Sequence, residues 1–183
     1  RVSEIADYST YYQPVVMTEI FGFGKPLDEL PMLYQPTILS LAWGSVVRII
    51  AAGLELTLDE PLVEAYESVA AERDYDTVSC KVPAGTRAAV RFTVTGTVDG
   101  VPRVVLEHVT RTHPEQAPDW PKPSEGDGIY RIEVTGEPHL KVDFSHHGEN
   151  GDHNVSGMIV TAMRLVNAIE AVCAASPGLV TAD

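Results

Sequence analysis

Positive charge is scarce in this sequence. Thirteen Lys and Arg stand against 26 Asp and Glu, a formal net charge of −13 over 183 residues. Phosphate backbones and anionic bilayers recruit Lys and Arg, so neither nucleic acid nor a membrane is an expected partner. Cysteine is scarcer still. Cys80 and Cys173 are the only two, and neither sits in a CxxC or metal-spaced pattern, which excludes a disulfide scaffold and a cysteine-ligated zinc site. Both fall in apolar stretches and read as buried thiols of a reducing compartment. Long hydrophobic runs are missing as well. The oiliest stretch, Ile38 to Leu56, is broken by Ser40, Gly44, Ser45, Arg48 and Gly53, short of the roughly 18 apolar residues a bilayer span needs. Arg1 to Tyr12 is polar and aromatic, unlike a secretory signal, so the expected location is cytoplasmic. An opening Arg in place of Met suggests a processed chain or a part of a longer one. No GxGxxG, GxxxxGK[ST] or GxSxG occurs, and no internal repeat, so the residues spell neither a dinucleotide cradle, a P-loop nor a nucleophile elbow.

What is present is a clear change of period. The first third reads as a short strand, Val2 to Tyr8, and two helices. One helix opens at Pro14-Val15-Val16 and stops by Gly22-Phe23-Gly24. The other runs from Ile38 to a stop at Gly53, with Ile38, Leu41, Ala42, Ser45, Ile49 and Ala52 as its apolar stripe. In the middle third, Val90, Phe92, Val94 and Val98 alternate with Arg91, Thr93, Thr95 and Thr97. Asp99-Gly100 then supplies a two-residue hairpin turn. A regular hairpin through that turn places Phe92 opposite Glu107 and Val94 opposite Val105. It leaves Val104 and Leu106 on an otherwise Thr-rich face, an apolar patch that suggests a homodimer. Val63 to Val69 and Thr77 to Val82 offer further strands, and Ile129–Thr135 with His139–Ser145 a second hairpin. A helix from about Val155 to Ala175, capped by Asn154, closes the chain. The expectation is one α+β domain over residues 1–183, with an antiparallel or mixed sheet covered by helices on one face.

Chemistry concentrates in few places. The loop His146-His147-Gly148-Glu149-Asn150-Gly151-Asp152-His153-Asn154 is rich in His and acid, but its glycines deny it the rigid ligand spacing of a metal site, and it reads as a solvated loop. His153 stands just before the expected cap of the last helix. There the free N–H groups disfavour imidazolium and could hold an anionic or carbonyl group of a ligand, although simple capping is the other reading. Trp43, mid-helix beside Gly44, reads as core, interface or pocket wall. Phe21 and Phe23, between glycines in a loop, suggest a pocket rim, a partner contact or packing beneath the loop. Glu107, on the apolar face in the regular register, would be desolvated unless a bulge turned it outward or an Arg paired with it. No catalytic, cofactor-binding or metal-ligating residue is assigned within the chain.

Several segments look family-specific: Asp7-Tyr8-Ser9-Thr10-Tyr11, Phe21-Gly22-Phe23-Gly24-Lys25-Pro26-Leu27, Leu41-Ala42-Trp43-Gly44-Ser45, Leu106-Glu107-His108-Val109-Thr110-Arg111 and Gly151-Asp152-His153-Asn154. Together they resemble the C-terminal part of the dihydrodipicolinate-reductase-like proteins, the group that includes 2,4-diaminopentanoate dehydrogenase and the native amine dehydrogenases. The resemblance implies the C-terminal domain of a Rossmann-type dehydrogenase. An N-terminal domain outside these residues would bind NAD or NADP and supply the acid that acts near the amine. The implied reaction is hydride transfer at a C=N or C=O carbon, with a small amine, imine or carbonyl substrate and a homodimer built through the sheet. On that resemblance His153 and Asn154 face substrate and nicotinamide, with Phe21, Phe23 and Trp43 as apolar walls. His146-His147 is followed by Asn150 where true dihydrodipicolinate reductases carry Lys, so the lysine-pathway reaction itself is not implied. A free-standing, non-catalytic binding module is the alternative.

Overall fold

The computed structural model describes residues 1–149 and 151–179. In chain order the elements are β1 (Val2–Asp7), α1 (Ile38–Gly53), β2 (Val63–Ala70), β3 (Tyr75–Asp76), β4 (Lys81–Val82), β5 (Arg87–Val98), β6 (Val101–Arg111), β7 (Gly128–Val134), β8 (Leu140–Phe144) and α2 (His153–Ala174). Six strands form one mixed sheet in the order β2-β5-β6-β1-β7-β8, and β3 with β4 makes a small separate ribbon. The first strand is inserted at the centre, parallel to β6 and antiparallel to β7. The expected helix at Pro14 is a single wide turn, with the Phe21 amide donating to the Val16 carbonyl five residues back at 3.0 Å. Such π turns recur where a backbone must aim side chains at a site.

The β5–β6 hairpin departs from the regular register. Asp99 and Gly100 take positive φ (52° and 73°), as the two-residue turn requires. Thr97 then pairs with Pro102 but Gly96 with Val104, so Arg103 is the extra residue of a β-bulge. From there on every β6 side chain is on the face opposite to that of a regular hairpin. Phe92 pairs with His108, Val94 with Leu106, and Thr93 with Glu107. Val104 and Leu106 are consequently buried in the main core with Phe92 and Val94, and they no longer supply an exposed patch for a dimer.

α1 packs on the same face, as Trp43 against Phe92 shows. Its buried positions are Leu39, Gly44, Val47 and Ala51, while Leu41 is 81% exposed and Ile49 is also exposed. Two apolar stripes of equal spacing run along this helix, and the one carrying the larger Trp43 and Val47 is buried instead of the one expected. α2 begins at His153, and Asp152, not Asn154, is its cap, accepting from the Asn154 and Val155 amides at 2.7 and 3.1 Å. Beyond its first turn α2 is exposed, Cys173 included, and Cys80 is only half-buried, so neither thiol is buried as expected. By length and composition this helix could cross a bilayer.

The other face of the sheet carries polar pairs and is partly roofed by residues 112–127. Trp120 of that segment packs on Ile5, Val109 and Ile129, and buried Arg111 donates to the Gln116 and Pro121 carbonyls at 3.1 and 2.8 Å.

Candidate functional site

The register brings one row of side chains into line across all six strands on the helix-covered face: Tyr66, Phe92, His108, Glu4, Tyr130 and Phe144. Every member but Glu4 is a ring. Phe92 and His108 stack at 5.0 Å, and Tyr66 stacks on Tyr34 at 4.5 Å. A cavity of about 540 Å³ opens above the middle of the row, within the size range of small-molecule sites. Glu4, His108 and Tyr130 make its floor. Tyr8 and Tyr11, from the segment after β1, form one wall together with Phe21 from the wide turn. Trp43 of α1 closes a second side, and Met158, Ala162 and Leu165 of α2 the third.

Buried Arg87 fixes the Phe21 wall from behind. Its guanidinium donates to the carbonyls of Gly22 (3.0 Å), Leu27 (3.3 Å) and Glu29 (2.8 Å), pinning the loop at three points. Gly22 has φ of +72°, and a Cβ there would overlap Pro31 and the Arg87 guanidinium, so the loop needs glycine at this position. Ser79 holds the other rim, donating to the Tyr11 carbonyl at 2.5 Å and accepting from the Gln13 amide at 2.9 Å.

Glu4 is the chemically distinctive residue. The Tyr8 hydroxyl donates to Oε1 at 3.2 Å, and His108 Nε2 lies 3.4 Å from Oε2. Thr110 Oγ1 is 2.7 Å from His108 Nδ1 and holds the far edge of the ring that faces Glu4. Burial pushes the Glu4 carboxyl up, but His108 and the hydrogen bonds from His108 and Tyr8 outweigh it, leaving the group below its ordinary value and ionised at neutral pH. The phenols around it move the other way. Burial raises Tyr8 far above its ordinary value and Tyr130 to about 12, with the Glu4 charge adding to both, so they act as proton donors in hydrogen bonds and not as bases. Among the described residues, no Lys or Arg lines the cavity.

The sequence-stated candidates divide unequally, though Phe21, Trp43, His153 and Asn154 all line the cavity. Trp43 packs 4.8 Å from Phe92 and 6.2 Å from His108. His153 stacks on His146 at 4.7 Å and lies 5.7 Å from Tyr130. Its ring occupies the space a Cβ would fill at Gly128, which explains that glycine. Its Nδ1 is buried with no hydrogen-bond partner among the described residues. Asn154 spends its amide on structure, donating to the Asp7 carbonyl and to Thr10 Oγ1, each at 3.1 Å. Phe23 stacks behind Phe21 at 5.5 Å, only 1% exposed and outside the cavity lining. It is core, not wall. Sequence reading passed over Glu4, Tyr8, Tyr11, His108 and Tyr130. A charged residue inside the otherwise small and apolar run Val2-Ser3-Glu4-Ile5-Ala6 was the available signal for the first.

At the α2 N-terminus the Asp152 carboxylate already takes the Asn154 and Val155 amides that an anion would use. At α1 the Glu64 carboxylate takes the Thr37 and Ser40 amides at 3.2 and 2.6 Å. Both helix ends that could cradle a pyrophosphate are therefore occupied by the chain's own acids, and these residues do not fit a dinucleotide's phosphates. No three His, Cys, Asp or Glu side chains converge to hold a metal among the described residues. Asn150, which stands at the lysine position of dihydrodipicolinate reductases, lies outside them.

This is a half-open aromatic pocket with one acid at its centre, on a mixed sheet. A sequence profile of the 2,4-diaminopentanoate dehydrogenase C-terminal domain matches residues 1–183. The chain belongs to that family, as the sequence resemblance implied. It is 40% identical over 181 residues to an amine dehydrogenase of Streptomyces virginiae, a match covering 98% of this chain and 50% of that protein. The solved amine dehydrogenase of Mycobacterium smegmatis shares the fold, with a TM-score of 0.63 at 18% identity over 99% of this chain and 48% of that one. The chain thus spans about half the length of the relatives it matches.

Proposed function

We propose that these residues form the substrate-binding half of a nicotinamide-dependent oxidoreductase that interconverts amines with imines or carbonyl compounds. The observation that carries this reading is the cavity above Glu4, His108 and Tyr130, open on the helix side and walled by Phe21 and Trp43. Family membership and the amine dehydrogenase relative support the reaction class. NAD or NADP is held by residues outside these 183, since both helix ends here are closed to a pyrophosphate. When bound, the nicotinamide supplies or accepts the hydride. The residues described here bind and orient the organic substrate, strip it of water and place its nitrogen near Glu4. Phe21, Trp43 and His153 are its contacts, and Asn154 fixes the entry of α2. A homodimer, with Val104 and Leu106 buried, would draw on the exposed strip Ile132, Val134, Leu140 and Val142 of the β7–β8 hairpin.

The test is turnover by the full-length protein. NADH or NADPH, an ammonium salt and a panel of small ketones and aldehydes should give steady nicotinamide oxidation, and Trp43→Ala should raise KM. Complete inactivity of the folded protein with both cofactors across the panel would leave the non-catalytic binding module as the better reading.

A further inference from the structure

We propose that the stacked pair His146 and His153 is a proton-operated latch for α2. Neutral, the pair seats the first turn of the helix on the sheet. A proton taken up by the pair releases that turn and opens the cavity on the side that α2 supplies. The latch is independent of what the cavity binds, because it concerns how one wall is attached.

α2 is fastened at one end. Its buried residues are His153, Asn154 and Ser156, all in the first turn, and most of the helix beyond them is exposed. Ser156 Oγ lies 2.6 Å from His146 Nδ1 and donates to the His153 carbonyl at 2.8 Å. The His153 ring lies flat on His146, with centroids 4.7 Å apart and planes 13° from parallel, and its edge fills the gap at Gly128 of β7. His146 stands two residues beyond the end of β8, so the stack ties the helix to the β7–β8 hairpin.

A proton is costly in this stack. An imidazolium donates from both of its nitrogens. His146 Nε2 and His153 Nδ1 are each buried with no partner among the described residues. Protonation of either ring therefore leaves a buried N–H without an acceptor, whichever nitrogen carried the proton before. Protonation of both sets two positive charges face to face. The groups around the pair do not reverse this. Tyr130 of β7, 5.4 and 5.7 Å from the two rings, is a neutral phenol, and Asp152 spends its carboxylate on the helix cap. Burial, then the charges of His153 and His147, hold the His146 imidazole below its ordinary value, while Glu4 of β1 pulls the other way and weighs less. A group so depressed contributes its full stability above its ordinary value, here 6.5, and loses it as the pH falls from there through the lowered one. The latch lets go on the acid side of neutrality. Met158, Ala162 and Leu165 move with the helix, and the cavity loses its third side.

The experiment is amide hydrogen exchange of the full-length protein at about pH 7.5 and about pH 5.5, either side of the ordinary imidazole value, with exchange times scaled for the chemical step. Amides of residues 155–160 should lose about tenfold in protection at the lower pH, the factor expected for one buried N–H left without an acceptor. Those of β5 and β6 should keep theirs. His146→Phe keeps a ring in the stack but takes no proton, and an imidazolium at His153 sits favourably on a phenyl face, so its α2 should be equally protected at both pH values. Equal protection of wild-type α2 at both pH values, a loss shared by β5 and β6, or the same acid-induced loss in His146→Phe would overturn the proposal. Should that variant not fold, His146→Gln takes its place: its amide can meet Ser156 and does not titrate, so protection should again be independent of pH, and a loss like that of wild type would count against the latch. No turnover enters the test, so an inactive protein with a working latch would sink the enzymatic reading alone, and an active protein without one would sink only the latch.

Discussion

Two carboxylates sit near the middle of the same sheet, on neighbouring strands and opposite faces. Glu107 of β6 faces cations: Arg91 reaches Oε1 at 2.7 and 2.9 Å, Arg1 at 2.9 Å, and Ser3 donates to Oε2 at 2.8 Å. Glu4 of β1 faces a phenol, an imidazole and a cavity. Both are held below their ordinary value against a burial that pushes them up, Glu107 by Arg91, Ser3 and Arg1, Glu4 by His108 and Tyr8. Glu107 is saturated and can do nothing but hold strands together. Glu4 is ionised and unsaturated, which is the condition for binding a ligand. A low-lying acid is therefore no mark of function by itself; what matters is whether its partners come from the protein.

Substitutions should separate the two. Glu107→Gln should have the largest effect, about 2–3 kcal/mol of lost stability, because the hydrogen bonds from partly exposed Arg91 and Arg1 and from buried Ser3 lose their charged acceptor. Thermal melting measures this, and ligand affinity should be unchanged in the folded fraction. The same pair gives a pH signature. A group whose value is depressed in the folded chain contributes its full stability above its ordinary value, here 4.5, and loses it as the pH falls through the lowered one. Wild type should therefore lose melting temperature more steeply than Glu107→Gln as the pH drops below that value.

Glu4→Gln should do the converse. The amide keeps an oxygen for Tyr8, so stability should stay within about 1 kcal/mol of wild type while turnover of amines collapses. Asp152→Ala should cost about 1 kcal/mol as a lost helix cap, with little change in KM. The smallest contrast lies between neighbours. Phe23→Leu should cost under about 1.5 kcal/mol and leave KM alone, whereas Phe21→Leu should raise KM at similar stability.

The sheet, the two hairpins, both long helices and the family were legible because alternation, turn residues and caps are local signals. What was not legible came from single events of long reach. One bulge residue, Arg103, exchanged the faces of Glu107 and His108, taking Glu107 off the helix-covered face and the apparent dimer patch into the core. Pro102, which cannot donate to the ladder, was the local sign of it. In α1, periodicity marked two stripes and could not say which faces the sheet. Glu4 was hidden for a third reason: a short strand inserted between β6 and β7 has no sequence neighbour to reveal what lies across from it. Phe21 and Trp43, large rings beside glycines, do line the cavity, whereas Phe23, read by the same rule, lies one layer behind it.

The most direct measurement is a crystal structure of the full-length protein with hexylamine bound. The amine nitrogen should lie within hydrogen-bond distance of a Glu4 carboxylate oxygen, with the alkyl chain running between Trp43 and Met158. An amine bound elsewhere above an empty Glu4 cavity, or bound with its nitrogen turned away from Glu4, would contradict the assignment of this pocket.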